Sequence, residues 1–156
     1  YRKNIQILDT RKTTPGIRIF EKYASKCGGG ANHRFNLSKG VMIKDNHIGA
    51  NKSISTMFKK SEKINAPIQV EIDTLEQLNK VLKYKIDAVL LDNMNSSEIK
   101  ECIKAIEESG KKIFIEVSGG INYKTLNKYL IKGVDAISIG ATIHQATFKN
   151  IKLEFS

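Results

Sequence analysis

At residues 88–93 the chain reads Ala88-Val89-Leu90-Leu91-Asp92-Asn93, a short apolar run that stops at a charged and a polar residue. Four other apolar runs stop in the same way: residues 5–8 before Asp9-Thr10-Arg11-Lys12, 41–43 before Lys44-Asp45-Asn46-His47, 68–70 before Glu71-Ile72-Asp73, and 113–115 before Glu116-Val117-Ser118-Gly119-Gly120. Buried strands that end in charge are typical of parallel α/β barrels, because the reactive groups of such barrels lie where the carboxyl ends of the strands meet the loops. The pattern therefore predicts an enzyme.

Strand-like and helix-like segments alternate along the whole chain. The predicted strands cover residues 5–8, 40–46, 68–73, 88–92, 112–118 and 136–139, and a last β-like run covers 151–155. The predicted helices cover 15–24, 54–63, a segment that begins at the capping sequence Thr74-Leu75-Glu76-Gln77, 96–109 and 123–131. In the first helix, Ile17, Phe20 and Ala24 share one face. Such alternation predicts βαβ units with right-handed crossovers, and so an α/β fold with a parallel sheet.

The length of 156 residues predicts one domain. A complete (β/α)8 barrel usually needs about 250 residues, so a barrel of this length is expected to be incomplete. The chain starts at Tyr1 rather than at a methionine, and its first strand begins almost at once at Ile5. We therefore expect a partial chain that lacks upstream residues.

The composition narrows the class of protein. A hydrophobic fraction of 40% suits a globular core, and no apolar run approaches the roughly 20 residues of a membrane span. Two cysteines, Cys27 and Cys102, are too few for a disulfide framework and favour the cytoplasm. A net charge of +10 fits either a nucleic-acid binder or an enzyme with polyanionic substrates. Because many lysines fall on helix faces that read as solvated, the charge by itself favours solubility, and we expect no nucleic-acid or membrane partner.

Three motifs in order give the chain a specific resemblance. They are Asp9-Thr10-Arg11-Lys12-Thr13-Thr14-Pro15-Gly16, Gly28-Gly29-Gly30-Ala31-Asn32-His33-Arg34 and Ile43-Lys44-Asp45-Asn46-His47-Ile48. Later strand ends continue the pattern at Val70-Glu71-Ile72-Asp73-Thr74, Leu90-Leu91-Asp92-Asn93-Met94, Glu116-Val117-Ser118-Gly119-Gly120-Ile121 and Ser138-Ile139-Gly140-Ala141. Together these motifs closely resemble the quinolinate phosphoribosyltransferase family.

The resemblance implies an activity and an architecture. The activity is conversion of quinolinate and phosphoribosyl pyrophosphate to nicotinate mononucleotide, CO2 and pyrophosphate with Mg²⁺, a step of NAD biosynthesis. The architecture is an incomplete, seven-stranded α/β barrel preceded by an N-terminal sandwich domain, so residues 1–156 would be a single C-terminal barrel domain without that sandwich domain. The resemblance also implies a homodimer or higher oligomer, in which the N-terminal domain lends an arginine to the partner's site.

Four basic residues are candidates for gripping a dicarboxylate. Guanidinium groups offer bidentate donors that keep their charge at neutral pH, which favours Arg11 and Arg34, with His33 and Lys44 beside them. From the residues alone, Arg11 paired with Asp9 and His33 as an ordinary surface residue are equally good interpretations. The resemblance favours function for both, and it implies that Lys12 helps to hold the pyrophosphate and that Lys44 lies between the two substrates.

Glu71 and Asp92 end neighbouring strands, so their carboxylates are expected to converge at one edge of the sheet. Two carboxylates suit Mg²⁺ or ribose hydroxyls, because Mg²⁺ prefers oxygen ligands and keeps several waters. The alternative is a salt bridge to Lys44 or Arg11, which is compatible with the first interpretation. The predicted catalytic residues are Lys44, Glu71 and Asp92, and Glu116 is a weaker candidate.

The last two strands are followed by Ser118-Gly119-Gly120 and Gly140-Ala141. Phosphate sites of such barrels commonly form there, from backbone N–H groups and a helix N-terminus, so these residues are expected to hold the 5-phosphate. Gly28-Gly29-Gly30 suits either a phosphate cradle or a helix end with a flexible loop. His47 and Asn46 are expected to orient neighbours, and His144 to be structural.

Three competing functions stay open at this point. One is a barrel phosphoribosyltransferase with another acceptor, since the basic residues favour a dicarboxylate without proving it. Another is a basic nucleic-acid-binding domain, against which stand the few, scattered aromatic residues and the absence of a binding-fold signature in the sequence. The third is a non-catalytic partial chain.

Overall fold

The computed structural model describes residues 4–35, 41–44, 58 and 66–155. Within these ranges the chain forms a six-stranded sheet whose strand pairs are all parallel. The strands are β1 (Gln6–Leu8), β2 (Val41–Ile43), β3 (Ile68–Ile72), β4 (Ala88–Asp92), β5 (Phe114–Ser118) and β6 (Ala136–Ser138), and their order in the sheet is β1-β6-β5-β4-β3-β2. The predicted α/β class with a parallel sheet is therefore confirmed, with six strands in the part of the chain that the structure describes.

The described helices are α1 (Arg18–Cys27), α2 (Leu75–Val81), α3 (Ser96–Glu108) and the short α4 (Ala141–His144), with a 3₁₀ turn at Leu126–Lys128. α3 begins with a complete capping box between Asn95 and Glu98. At α2 the Thr74 hydroxyl accepts from the Gln77 N–H as predicted, but the Gln77 side chain accepts from the N–H of Asp73 instead of Thr74.

The two faces of the sheet differ because successive side chains of a strand point to opposite sides. Val70, Ile72, Val89, Leu91 and Val117 are fully buried and belong to one core with apolar residues of α2 and α3. The alternate positions carry the polar groups. Glu71 pairs in register with Leu90, and Leu90 with Glu116, so both glutamates lie on the other face of the sheet in one row.

Parallel pairing also brings the carboxyl ends of the strands together. Asp92 at the end of β4 pairs with Ser118 at the end of β5, and Leu8 at the end of β1 pairs with Ser138 of β6. The first strand thus lies beside the last one, although more than a hundred residues separate them. This edge of the sheet holds the predicted site.

Three predicted elements differ from the structure. The helix predicted over 123–131 is reduced to the 3₁₀ turn Leu126–Lys128, with Gly133 at a φ of +98° beyond it. The run at 151–155 forms no strand, and Ile151, Leu153 and Phe155 are exposed. The first helix begins at Arg18, because Pro15 and Gly16 form a turn in which Gly16 has a φ of +83°.

The predicted apolar face of this first helix is also wrong. Phe20 is 71% exposed, whereas Lys22 is only 3% exposed and is the buried residue of α1. An ion pair to Asp9 explains this orientation, since the lysine ammonium lies 2.7 Å from the carboxylate. Ile17 and Ala24 instead line a second, mainly apolar cavity of about 900 Å³ between α1 and the segment that follows β6.

Some predictions fall on residues that the structure does not describe. The second strand was predicted over 40–46, of which 41–43 form β2 and 44 is described. The helix predicted over 54–63 lies outside the described residues except for Phe58, which is buried and stacks on Tyr84. Within the described ranges, no helix has the length and apolar character needed to cross a membrane.

Candidate active site

A cavity of about 400 Å³ lies at the carboxyl ends of the strands. Five of the six strands, β2 to β6, contribute residues to its lining, and the segment after β1 contributes Thr10, Arg11 and Lys12. Every residue predicted for the site borders this one cavity: Arg11, Lys12, His33, Arg34, Lys44, Glu71, Asp92, Ser118, Gly119, Gly120, Gly140 and Ala141. The structure thus brings these residues together, while the role of each one stays a prediction.

One wall of the cavity is basic. Arg11 follows β1, and His33 and Arg34 lie on the loop that follows α1. Burial and the neighbouring Arg11 charge lower the pKa of Arg34, and nearby Glu116 raises it in part. An arginine remains protonated at neutral pH despite such a shift, so two guanidinium groups with partly unfavourable surroundings face one space. An anion in that space would relieve the repulsion between them.

Two buried nitrogens on this wall have no hydrogen-bond partner among the described residues. They are Nε of Arg11 and Nδ1 of His33. Buried polar atoms nearly always have a partner, because leaving one unpaired costs about 1–3 kcal/mol. Arg11 does not pair with Asp9, whose carboxylate is taken by Lys22, so that interpretation of Arg11 is wrong. Both atoms are therefore candidates for contacting a bound ligand.

The acidic wall of the cavity is formed by Glu71 of β3 and Asp92 of β4. The Lys44 ammonium lies 2.8 Å from Oε2 of Glu71, which is the salt bridge expected as the alternative interpretation. Asp92 accepts hydrogen bonds from the Ser118 hydroxyl and from Nδ2 of Asn93 at 2.7 Å. The described residues contain no group of three or more His, Cys, Asp or Glu side chains arranged to hold a metal ion. A metal here would need ligands from a substrate as well.

Glu116 is more deeply involved than the sequence suggested. Only 3% exposed, it accepts hydrogen bonds from Nε2 of Gln69 at 2.7 Å and from the Ser138 hydroxyl, and its Oε1 lies 3.4 Å from Nε2 of His33. Burial alone would raise the pKa of Glu116, but the hydrogen bonds from His33, Ser138 and Gln69 outweigh burial and hold the pKa below its usual range. Glu116 is therefore a buried carboxylate that orients His33.

Gly119 shapes the part of the cavity between the ends of β4 and β5. Gly119 has a φ of +101°, and a Cβ atom on it would lie 2.8 Å from Cα of Asn93. Asn93 itself has a φ of +55°, which is uncommon outside glycine. The two strand ends approach so closely that a side chain at 119 would displace backbone, which explains this glycine without reference to a ligand.

Gly28-Gly29-Gly30 lies elsewhere. Gly28 is the C-terminal cap of α1, Gly29 has a φ of +87°, and all three glycines line the second cavity instead of the basic one. The structure thus favours the helix-end interpretation over a phosphate cradle in the basic cavity. His144 lies at the rim of the basic cavity beside Gly140, and His47 and Asn46 are outside the described residues.

Sequence reasoning missed three residues next to the site. Asp9, Lys22 and Asn32 form a hydrogen-bonded cluster behind His33. Nothing in the sequence marks Lys22, because a lysine in an amphipathic helix is typical of a solvated face. Asp9 carries a weak signal, since it directly follows an apolar run, but the sequence offers Arg11 and not Lys22 as its partner.

A parallel α/β sheet with a charged cavity at its carboxyl edge defines a class of proteins that bind small ligands at the strand ends. Residues 1–154 match the family model described as the C-terminal domain of quinolinate phosphoribosyl transferase, and the chain belongs to that family. The resemblance inferred from the motifs is therefore confirmed.

Relatives and solved structures agree with this assignment. The chain is 40% identical over 155 residues to the probable nicotinate-nucleotide pyrophosphorylase [carboxylating] of Bacillus subtilis (strain 168), covering 97% of this chain and 53% of the relative. It superposes on the crystal structure of NadC from Streptococcus pyogenes with a TM-score of 0.82 and 36% identity, covering 91% of this chain and 50% of that one. The nicotinate-nucleotide pyrophosphorylase from Ehrlichia chaffeensis gives a TM-score of 0.82 and 39% identity, covering 91% and 52%. The chain thus spans about half the length of the proteins it matches.

Proposed function

We propose that the protein containing this chain transfers the phosphoribosyl group of phosphoribosyl pyrophosphate to quinolinate, and so forms nicotinate mononucleotide, CO2 and pyrophosphate. The observation that carries the proposal is the cavity, which Arg11, His33 and Arg34 line together with Glu71 and Asp92. One wall suits a dianion and the other suits a sugar with hydroxyl groups and a metal. The names of the relatives, nicotinate-nucleotide pyrophosphorylase [carboxylating], support the same reaction.

Quinolinate occupies the basic wall in this proposal. Its two adjacent carboxylates pair with the guanidinium groups of Arg11 and Arg34, which provide fork-shaped donors at fixed spacing. His33 adds a ring nitrogen whose direction is set by Glu116 on the other side of the ring. The unpartnered Nε of Arg11 and Nδ1 of His33 then acquire partners.

Phosphoribosyl pyrophosphate occupies the acidic wall and the floor. Lys12 holds the pyrophosphate, Lys44 lies between the two substrates, and Glu71 and Asp92 accept hydrogen bonds from the ribose hydroxyls. The 5-phosphate binds backbone N–H groups of Ser118-Gly119-Gly120 and Gly140-Ala141. These assignments follow the family motifs that the residues occupy.

Mg²⁺ is proposed as the metal that accompanies phosphoribosyl pyrophosphate. The donor set fits, because two carboxylates with further oxygens from the substrate and water are how Mg²⁺ is usually bound. Glu71 and Asp92 are the residues that would hold it. When bound, the metal supplies positive charge that neutralises the pyrophosphate.

The residues of this chain are suited to a reaction without an enzyme nucleophile. Departure of pyrophosphate leaves an oxocarbenium-like ribose, so the protein must stabilise the leaving group and hold the quinolinate nitrogen in line with the anomeric carbon. Lys12 and Lys44 serve the leaving group, while Arg11 and Arg34 orient the acceptor. After the new bond forms, CO2 leaves, the positive ring nitrogen stabilises the electron pair that remains on the adjacent ring carbon, and that carbon takes up a proton from solvent.

We further propose the wider architecture that goes with this activity. The six described strands belong to a seven-stranded barrel, preceded in the working protein by an N-terminal sandwich domain. The protein is a cytoplasmic homodimer or higher oligomer in which a partner arginine completes the site. The chain covers 53% of its Bacillus subtilis relative, which supports a further domain in a protein of that kind.

The test is a product assay on the purified protein that contains this chain. Quinolinate, phosphoribosyl pyrophosphate and Mg²⁺ should yield nicotinate mononucleotide and pyrophosphate in equal amounts by chromatography, and nicotinate in place of quinolinate should yield none. Turnover of nicotinate but not quinolinate would support the interpretation with another acceptor. Steeply salt-dependent binding of duplex DNA without any turnover would support a nucleic-acid-binding domain.

A further inference from the structure

Behind the basic wall lies a buried ion pair that does not line the basic cavity. Lys22 of α1 and Asp9 after β1 are 3% and 2% exposed, and the ammonium lies 2.7 Å from Oδ1 of Asp9. A buried ion pair is weak evidence for stability, because removing two charges from water costs about as much as their attraction returns. Apolar residues of similar volume would do as well for the core. The pair therefore calls for another explanation.

The contacts of this pair converge on one residue of the site. Asp9 Oδ1 accepts from the backbone N–H of His33 at 2.7 Å, and Lys22 Nζ donates to the backbone carbonyl of His33 at 3.1 Å. The peptide groups on both sides of the His33 Cα are thus held, one by each member of the pair. Two fixed peptide planes determine the direction of the Cα–Cβ bond, and with it the position from which the imidazole starts.

Asn32 also binds both members of the ion pair. Its Nδ2 donates to Oδ2 of Asp9 at 2.7 Å and to the backbone carbonyl of Lys22 at 2.8 Å. The Asp9 carboxylate thus has three donors, and the loop that carries His33 and Arg34 is tied to both α1 and β1. A neutral pair could not hold these backbone groups as firmly, because hydrogen bonds to charged groups are about twice as strong.

We infer that Asp9 and Lys22 are positioning residues that hold His33, and the loop with Arg34, in the orientation required to bind the acceptor. The inference rests on the proposed function, since it concerns the quinolinate wall. Asp9 directly precedes the Thr10-Arg11-Lys12 segment, so the same pair joins the two basic segments of the site. Neither residue borders the basic cavity, so each acts through His33.

The test compares Lys22→Met with Lys22→Arg in the protein that contains this chain. In Lys22→Met the KM for quinolinate should rise about tenfold or more, while the KM for phosphoribosyl pyrophosphate changes by less than about twofold. Lys22→Arg should recover part of the quinolinate KM, because a guanidinium can still reach both acceptors. Leu78→Ala, a fully buried change in α2 at a residue that does not line the cavity, is the matched control for lost stability. It should lower the melting temperature and leave both KM values unchanged.

Two results would overturn the inference. One is Lys22→Met with both KM values unchanged, which would make the pair purely structural. The other is an equal rise of the quinolinate KM in Leu78→Ala, which would make the effect one of stability. If Lys22→Met does not fold, Asn32→Ala removes one donor to Asp9 at an exposed position and should shift the same KM by about threefold. An unchanged quinolinate KM in Asn32→Ala would then count against the inference.

A measurement without turnover separates this inference from the proposed function. Should the wild-type protein form no nicotinate mononucleotide, the proposed function fails, and hydrogen exchange at the His33 amide still tests the positioning. That amide donates to a buried carboxylate, so it should exchange about tenfold faster in Lys22→Met than in Leu78→Ala. Equal exchange rates in the two variants would contradict the inference.

Discussion

At the scale of single residues, charge and burial act against each other around the basic cavity. Arg34 is held next to Arg11 in surroundings that lower its pKa, and Glu116 keeps its negative charge although it is almost fully buried. The two neighbouring arginines are unfavourable in an empty cavity and favourable when an anion fills it, whereas the charge of Glu116 is already stabilised by His33, Ser138 and Gln69.

Arg34→Lys tests the fork of the guanidinium. Lysine keeps the charge but offers a single ammonium in place of two parallel donors. If Arg34 binds a quinolinate carboxylate, kcat/KM for quinolinate should fall about tenfold or more, which corresponds to about 1.4 kcal/mol. Steady-state kinetics measure this, and wild-type values would remove Arg34 from the site. Lys26→Arg, at an exposed position in α1 that does not line the cavity, is the control for an exchange between lysine and arginine outside the site.

Asp92→Asn tests the division of the cavity into two walls. The change removes a negative charge from the side assigned to ribose and Mg²⁺, so use of phosphoribosyl pyrophosphate should weaken and the required Mg²⁺ concentration should rise. Quinolinate binding by calorimetry should stay nearly intact. Loss of quinolinate binding with an unchanged Mg²⁺ requirement would show that the two walls are assigned the wrong way round.

Glu116→Gln tests the linkage between charge and stability. The pKa of Glu116 is lower in the folded protein than its ordinary value of 4.5. As the pH falls through 4.5, the unfolded chain therefore binds more protons than the folded chain does. The contribution of Glu116 to the free energy of unfolding is therefore complete above pH 4.5 and is lost as the pH falls through the folded pKa. Urea titrations across this range should show a wild-type advantage at neutral pH that shrinks in acid. An advantage independent of pH would contradict the assignment.

At the scale of elements, the helix and the loop that follow the strands shape the site as much as the strands do. α1 places Lys22 inward and leaves Ile19, Phe20 and Tyr23 exposed, the reverse of what its apolar residues suggest. The loop between β5 and the 3₁₀ turn bends at Gly119 and Gly120, both of which have positive φ values. The periodicity of apolar residues predicts neither the inward direction of Lys22 nor the bend at Gly119 and Gly120.

Gly119→Ala tests the close approach of β4 and β5. The added methyl group would meet the backbone of Asn93, and the φ of +101° is unfavourable for alanine, so the loop must shift. We expect a lower melting temperature together with a higher KM for phosphoribosyl pyrophosphate. Gly110→Ala is the matched control, because Gly110 also has a positive φ, of +68°, but has open space around it and does not border the cavity. An equal KM change in both variants would refute a local effect.

At the scale of the whole molecule, the order of the sheet assembles the site. β1 pairs with β6, so the segment after β1 lies beside the segment after β6. The cavity thus combines residues from both ends of the chain, Arg11 and Gly140 among them. Any change that separates β1 from β6 is expected to abolish the basic wall.

Residues 1–156 expressed alone provide the test at this scale. A chain of this length carries the proposed substrate contacts, but its exposed apolar residues, such as Phe20 and Phe148, have no cover. We expect it to self-associate through these apolar residues. We also expect it to form no nicotinate mononucleotide, because water screens the charge interactions in an uncovered cavity. Light scattering and the product assay measure both. Turnover comparable with that of a longer protein would refute the shared site proposed above.

By itself, the sequence determined the α/β class and the positions of five of the six described strands to within about two residues. It also determined that all predicted site residues line one cavity. These follow from short-range rules: apolar runs define strands, and parallel strands align their carboxyl ends. The family motifs supplied the assignments to substrates, which remain predictions.

Only the tertiary structure decided the inward direction of Lys22, the weight of Glu116 and the loss of the helix predicted over 123–131. The first two depend on partners from other elements: Asp9 draws in Lys22, and Gln69, Ser138 and His33 surround Glu116. Periodicity describes one element at a time, whereas the burial of a charge is decided by which charges and donors other elements bring to it.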